Sequence, residues 1–178
     1  DAVTKNAAAF RSRRILQPAG GPGTKVFPPT YEGAVYATES RRLPGRDLPV
    51  PCVLLDSVQS QANRMEEALQ QAIDAGQLKL PLVEVDFSAA DLIEKVDKIT
   101  SLQAPHRIAD AILRDSESNG VRFRESEVGK SIYSATAGNA TPLYKLFLTA
   151  LVFGRWDSTG PKGDLGGKFE RAMVSKIV

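Results

Sequence analysis

A stripe of Val58, Ala62, Met65 and Leu69, preceded by the apolar run Cys52 to Leu55 and closed by Gly76, limits what this chain can fold into more than any other feature. Residues that recur every three or four positions share one face of a helix, so the stripe requires an amphipathic helix lying on a core. The apolar run before it, behind Pro49 and Pro51, predicts a short strand buried on both faces. Asp56 stands where a helix needs its cap, and Gln59 completes a box-like start. The helix is expected to run to Ala75 and to stop at Gly76, the residue type that most readily takes left-handed backbone.

The other side of this helix carries the functional signal. Ser57, Gln61 and Arg64 fall together, flanked by Gln59, Ser60 and Asn63, so two turns offer many hydrogen-bond groups and almost no negative charge. A neutral solvated face is the plain explanation. Its position adds a second one, because a strand end leading into a helix N-terminus presents free N–H groups and a positive dipole end, which favour phosphate. Glu66, Glu67 and Asp74, further along, are expected on ordinary solvated surface.

The remaining elements are mixed rather than repetitive. Pro18 to Pro29 is Gly- and Pro-rich loop, Tyr31 to Thr38 an extended strand, and Arg41 to Pro49 a basic turn fit for a hairpin tip or an arm. Val83, Val85 and Phe87 alternate along a strand, after which Ser88 and Asp91 predict a capped helix. Pro105 opens a helix with Ile108, Ala111 and Ile112 inward, ending before Asn119 and Gly120. Ser126 starts another, and Leu148 to Phe153 is a strongly apolar strand. Strands and helices without regular alternation define an α+β domain.

Charge is distributed unevenly. The net charge is only +2, yet residues 1–50 hold eight Lys or Arg against four acids, residues 51–110 five against ten, and residues 111–178 ten against seven. Arg11, Arg13 and Arg14, then Arg41, Arg42 and Arg46, then Arg122 and Arg124, expected to alternate along a short strand around Phe123, are either solvated surface or a means of neutralising a phosphate backbone. With 42% hydrophobic and 25% charged residues the chain suits one well-buried domain and is not disordered. No apolar run approaches the ~20 residues that span a bilayer, and no charged-then-apolar leader precedes the first element. A single cysteine, Cys52, excludes an internal disulfide and a cysteine-built zinc site, fits a cytoplasmic protein, and is expected as a core residue.

Four blocks in order carry a family resemblance: FPPTY at Phe27 to Tyr31, CVLLDSVQSQANR at Cys52 to Arg64, APHRIADAILRDS at Ala104 to Ser116, and LVFGRWDSTG at Leu151 to Gly160. They are similar to the RAMP-type backbone subunit of the type I-U (I-G) CRISPR surveillance complex, and the resemblance spans the chain from about Gln17 onward. It implies a ferredoxin-like, RRM-related core with insertions, residues 1–178 forming one RAMP-type RNA-binding domain in which residues 38–50 are a thumb or arm. It implies a non-catalytic subunit that polymerises along CRISPR RNA in a Cascade-like assembly, with copies of itself, other Cascade subunits and target DNA paired to the guide as partners, and with neither cofactor nor membrane. Family members are longer; this chain starts without Met and ends inside the apolar run Met173 to Val178, so part of the domain is expected to lie outside it.

Within these blocks Ser57, Gln59, Ser60, Gln61, Asn63 and Arg64 are the first candidates for guide contacts, and Arg107, Arg114, Lys130, Trp156 and Lys168 the second. Arg107 and Arg114, seven apart on one expected helix, suit two phosphates, although Asp110 four residues before Arg114 suits a local ion pair. His106, the only histidine, has no nucleophile at a recognisable spacing. Trp156, beside Arg155, Ser158 and Thr159, suits either core packing or stacking on an unpaired base. The glycines Gly160, Gly163, Gly166 and Gly167 would let main chain approach a phosphate. Neither Gly167-Lys168-Phe169 nor Gly129-Lys130-Ser131 completes a Walker loop, because Lys162 and Arg124 stand where the first glycine belongs. A metal-dependent endoribonuclease using Asp56, Asp110, Asp115 or Asp157 is the competing reading, and a structural assembly protein without RNA contact a third.

Overall fold

The computed structural model of the chain describes residues 7–94, 96–157, 159 and 168–178. Backbone proximity divides the chain into two compact units, residues 1–55 and 56–178. The described elements are α+β, as the order of strands and helices predicts, and every described sheet is a two-stranded antiparallel ribbon.

The first unit is built from two hairpins. Thr30–Tyr31 (β1) pairs with Val35–Tyr36 (β2), because Gly33 and Ala34 both take positive φ and reverse the chain. The continuous strand expected over Tyr31 to Thr38 is therefore broken by a turn. Thr38–Arg41 (β3) then pairs with Val50–Val53 (β4), Thr38 opposite Val53 and Arg41 opposite Val50. The basic stretch after Arg41 is the tip of this hairpin. β4 starts earlier than expected and stops before Leu54; it has a partner on one side only, and Cys52 is half-buried rather than a core residue. Pro51 is accommodated because a two-stranded ribbon leaves the outer edge of each strand unpaired.

In the second unit, Val58–Asp74 (α1) is the long helix the stripe demands. Its cap is Ser57, whose hydroxyl accepts the Ser60 N–H at 3.1 Å, and not Asp56. Asp56 is held one residue further out by an antiparallel bridge to Ile177, with N–H···O distances of 3.1 and 3.0 Å. The helix ends as expected: Gly76 takes φ 70°, its N–H reaches the Ile73 carbonyl, and Gln77 reaches back to Ala72. Ala62 is buried and Val58, Met65 and Leu69 are half-buried. Glu66 and Gln70 share this inward face, which corrects the placing of Glu66 on solvated surface.

Glu84–Asp86 (β5) pairs with Lys98–Thr100 (β6). The helix expected after Ser88 does not form over the described residues, because the Ser88 N–H is turned back onto the Asp86 carboxylate at 2.8 Å. The helix expected from Pro105 is also interrupted. A 3-10 turn, Arg107–Ala109, ends at extended Asp110, which restarts the chain as Ala111–Arg114 (α2) by accepting the Ile112 N–H at 3.0 Å. Glu117–Ser118 (β7) and Val121–Arg122 (β8) close through Asn119 and Gly120 at φ 54° and 75°, an Asn-Gly hairpin turn. Arg122 and Arg124 do not share a strand, because Phe123–Glu125 is a 3-10 turn with Phe123 buried.

Ser126 caps Glu127–Tyr133 (α3) as expected, its Oγ accepting the Gly129 N–H at 3.0 Å. Thr141–Leu146 (α4) follows, then Thr149–Phe153 (α5) in place of the expected strand. A short apolar run fits a buried strand and a buried helix equally well; Thr149, Ala150 and Phe153 turn inward at helical spacing. Arg155–Trp156 (β9) pairs with Lys168–Phe169 (β10), Trp156 opposite Lys168. The core is formed by Ile108, Leu113, Phe123, Ile132, Leu143 and Phe147 with small residues between them, all from the 3-10 turns, helices and short links after residue 100.

Candidate nucleic-acid interface

A cleft of about 440 Å³ opens in the second unit, where the first turns of α1, the Pro105 to Arg107 turn, the Phe153 to Trp156 exit from α5 and the Lys168 to Arg171 segment meet. Five residues chosen from sequence lie on its walls: Gln59, Asn63, Arg107, Trp156 and Lys168. Four segments, the outermost more than a hundred residues apart in sequence, are thus brought together around one opening.

The strand geometry of β9 explains why Trp156 faces outward. Successive strand residues point to opposite faces; Arg155 turns inward, its NH1 donating to the Ile132 carbonyl at 2.7 Å and its guanidinium lying 5.3 Å from the Tyr133 ring centre. Trp156 is left 70% exposed, which excludes the core-packing alternative. Gly154, at φ 80° and ψ 163°, makes the turn from α5 into β9, and a Cβ there would lie 2.9 Å from the Phe169 carbonyl oxygen.

Not every polar group on α1 is free. Asp56 accepts from the Gln61 amide at 2.6 Å and from the Arg64 Nε at 2.9 Å, and Gln61 also accepts from the Ser175 hydroxyl at 3.0 Å. Burial raises the Asp56 carboxyl, but Ser60, Gln61 and Arg64 outweigh it and hold the group below the usual carboxylate range. The helix start is thus capped by Ser57 and faced by a carboxylate, which differs from the open phosphate site expected there. Ser60 is half-buried, Gln59, Asn63 and Arg64 are exposed, and Gln59 and Asn63 have no side-chain partner among the described residues.

Arg107 is bound to the protein itself. Its Nε and NH2 donate to the two oxygens of Glu66 at 2.6 and 2.8 Å, and Glu66 is only 1% exposed. Burial pushes the Glu66 carboxyl up, against the lowering by Arg107. Beside this pair the buried Thr100 hydroxyl donates to the Gln70 carbonyl at 2.6 Å. This polar seam, with Ala62, fixes α1 in the unit.

Arg114 does not pair with Asp110. It forms a two-pronged bond with Asp115 and reaches the Thr159 hydroxyl at 3.3 Å. Arg107 and Arg114 lie on separate turns, so the common face expected of them does not exist. Arg124 donates to the Asp157 carboxylate at 3.1 Å and to the Thr159 hydroxyl at 2.7 Å. Burial raises the Asp157 carboxyl; the Thr159 hydroxyl and N–H, Arg124 and Arg155 outweigh it and leave it low. Lys130 is exposed on α3, and Lys168 pairs with Glu170 at 2.8 Å on the cleft rim. Ser158, Gly160, Gly163, Gly166 and Gly167 lie outside the described residues.

Sequence reasoning missed His106 and Arg171 as cleft residues and Glu66 as the partner of Arg107. The last had a signal: Glu66 sits four residues after Ala62, on the stripe itself. Among the described residues no group of three His, Cys, Asp or Glu side chains is placed to hold a metal ion, and no helix is long and apolar enough to cross a membrane.

The fold and the cleft define an α+β protein with a polar, aromatic-edged cleft. The chain belongs to the family described as CRISPR-associated protein GSU0053, which it matches over residues 10–178. It is thus a CRISPR-associated protein of antiviral defence. No curated protein and no solved structure matches it.

Proposed function

We propose that this chain is a non-catalytic CRISPR RNA-binding backbone subunit, which assembles with copies of itself and with other Cascade subunits along the guide and leaves the bases free to pair with target DNA. The observation that carries this reading is the cleft that gathers the amide face of α1, the exposed ring of Trp156 and the basic rim in one place. A subunit that must hold any guide gains affinity from sugar, phosphate and stacking rather than from sequence. Membership of a CRISPR-associated family supplies a context in which such a surface has a use.

Arg64 is the best phosphate ligand of the first set. Its side chain is 68% exposed and, among the described residues, bonds only Asp56, a solvent-exposed pair worth about 0–1 kcal/mol. Arg64→Ala is expected to weaken guide binding while shifting the unfolding midpoint hardly at all; a large drop in the midpoint would make Arg64 structural. The reading as a whole is tested by isolating the chain from cells that express a CRISPR array and sequencing the RNA bound to it. Enrichment of array transcripts is expected, and recovery of the protein free of RNA would refute it. Asp157, the aspartate that a nuclease reading needs most, is buried and held by Arg124 and Thr159, so no observation favours that alternative.

A further inference from the structure

We infer that the cleft holds one phosphodiester of the guide on Arg155 and Arg171, with the adjoining base, whatever its identity, stacked on Trp156. This rests on the RNA-binding reading and deepens it by naming the part of the strand that the site takes.

The basic side chains on the walls include Arg107, Arg155, Lys168 and Arg171. Glu66 takes up Arg107 and Glu170 takes up Lys168. The other two are left over. Arg155 is 3% exposed; its NH1 bonds the Ile132 carbonyl, but its Nε and NH2 are buried without a hydrogen-bond partner among the described residues. Arg171 is exposed and forms no ion pair among the described residues. The two meet at one turn: Arg155 follows Gly154, and a Cβ on Gly154 would lie 3.0 Å from the Arg171 Cγ.

A guanidinium does not lose its proton in a protein, so the cost of burying Arg155 is not escaped by titration. Burial pulls its pKa down, opposed by Asp157 and Tyr133, and Asp157 is itself engaged by Arg124 and Thr159. An anion with two oxygens side by side matches the Nε and NH2 edge. Arg107 shows the match within this cleft, where the same two atoms grip both oxygens of Glu66 at 2.6 and 2.8 Å. A phosphodiester offers such a pair of oxygens, which Arg171 reaches from the exposed rim while Arg155 adds a poorly screened charge from behind the wall. Trp156, next along β9 and 70% exposed, then meets the attached base. Neither the arginines nor the indole reads a base edge, as a site that takes any guide requires. A volume of about 440 Å³ accommodates one nucleotide unit.

The test uses the 178-residue chain and the fluorescence of Trp156, the single tryptophan in the sequence. The dinucleotide UpU, which has one phosphodiester, is expected to quench it saturably, and its uncharged methylphosphonate analogue to bind about tenfold weaker or less. The logarithm of the UpU affinity should fall with the logarithm of salt at a slope of about 0.7, one phosphate's worth. Inorganic phosphate should compete with UpU without quenching. Arg171→Ala should weaken UpU about fivefold or more at an unchanged melting temperature, because the side chain is exposed. In protein carrying ¹⁵N-labelled arginine, the Arg155 Nε–H resonance should move with UpU and stay in place with the analogue; a resonance that neither moves would remove Arg155 from the site. Equal binding of UpU and its analogue, or no quenching by UpU while full-length guide RNA still binds, would overturn the phosphate site and leave RNA binding in place. A tetraglutamate peptide that competes at lower concentration than UpU binds would assign the cleft to acidic protein instead. Failure of both UpU and full-length guide RNA to bind would remove the RNA-binding reading itself.

Discussion

Glu66 and Arg107 look like separate surface residues in the sequence and form one buried unit in the protein, with side chains 2% and 13% exposed. Removing one partner strands the other charge where water cannot solvate it. Arg107→Ala is therefore expected to cost about 3–5 kcal/mol in a urea titration, whereas the double change Glu66→Leu, Arg107→Met should come out near neutral. A small effect of Arg107→Ala on stability, combined with a large one on RNA binding, would return Arg107 to the role of phosphate ligand. The residue scale is also where sequence reading was least complete. The helical stripe fixed the inward direction of position 66, but a glutamate there looks solvated until a distant arginine at a left-handed backbone position, φ 56°, is seen to reach it.

At the scale of elements, local chemistry was legible wherever one residue decides the outcome. Gly76 ends α1, Ser126 starts α3 and Asn119-Gly120 turns a hairpin, because each does its work through its own backbone or side chain. Leu148 to Phe153 was not legible, since only its neighbours decide whether an apolar run winds or extends, and the core here is built of helices. The start of α1 failed for the same reason: the bridge to Ile177, more than a hundred residues away, sets Asp56 outside the helix and passes the cap to Ser57. The link between α5 and β9 provides a direct test. Gly154→Ala forces a side chain into backbone that is almost exclusive to glycine and against the Phe169 carbonyl, so a loss of about 1–3 kcal/mol or more is expected by thermal unfolding. Because the same link aims Trp156, RNA affinity should fall with it. Unchanged stability would mean that the backbone at this turn differs from the one described.

For the whole molecule, the α+β class and the membership of a CRISPR-associated family agree with what residue order and the four sequence blocks predict. Stability should respond to alkali through the Tyr133 phenol. Burial, reinforced by the Asp157 carboxylate and opposed by Arg155, Arg124 and Arg114, pushes Tyr133 up to about 12 from 10.0. A folded-state value above the unfolded one means that the protonated phenol favours the fold; its contribution is complete below about pH 10 and is lost as pH rises through about 12. Tyr133→Phe, which forfeits the 2.9 Å bond to the Ile108 carbonyl and about 1 kcal/mol at neutral pH, should show a shallower decline in the urea midpoint between those values. An unchanged slope would place the titration elsewhere.

The central claim, that this surface holds guide RNA chiefly by its backbone, is tested most directly by the salt dependence of binding to a labelled single-stranded CRISPR RNA. The logarithm of the affinity should fall linearly with the logarithm of salt concentration, by about 0.7 for each phosphate neutralised. Binding that is absent, or equally strong at low and high salt, would contradict it.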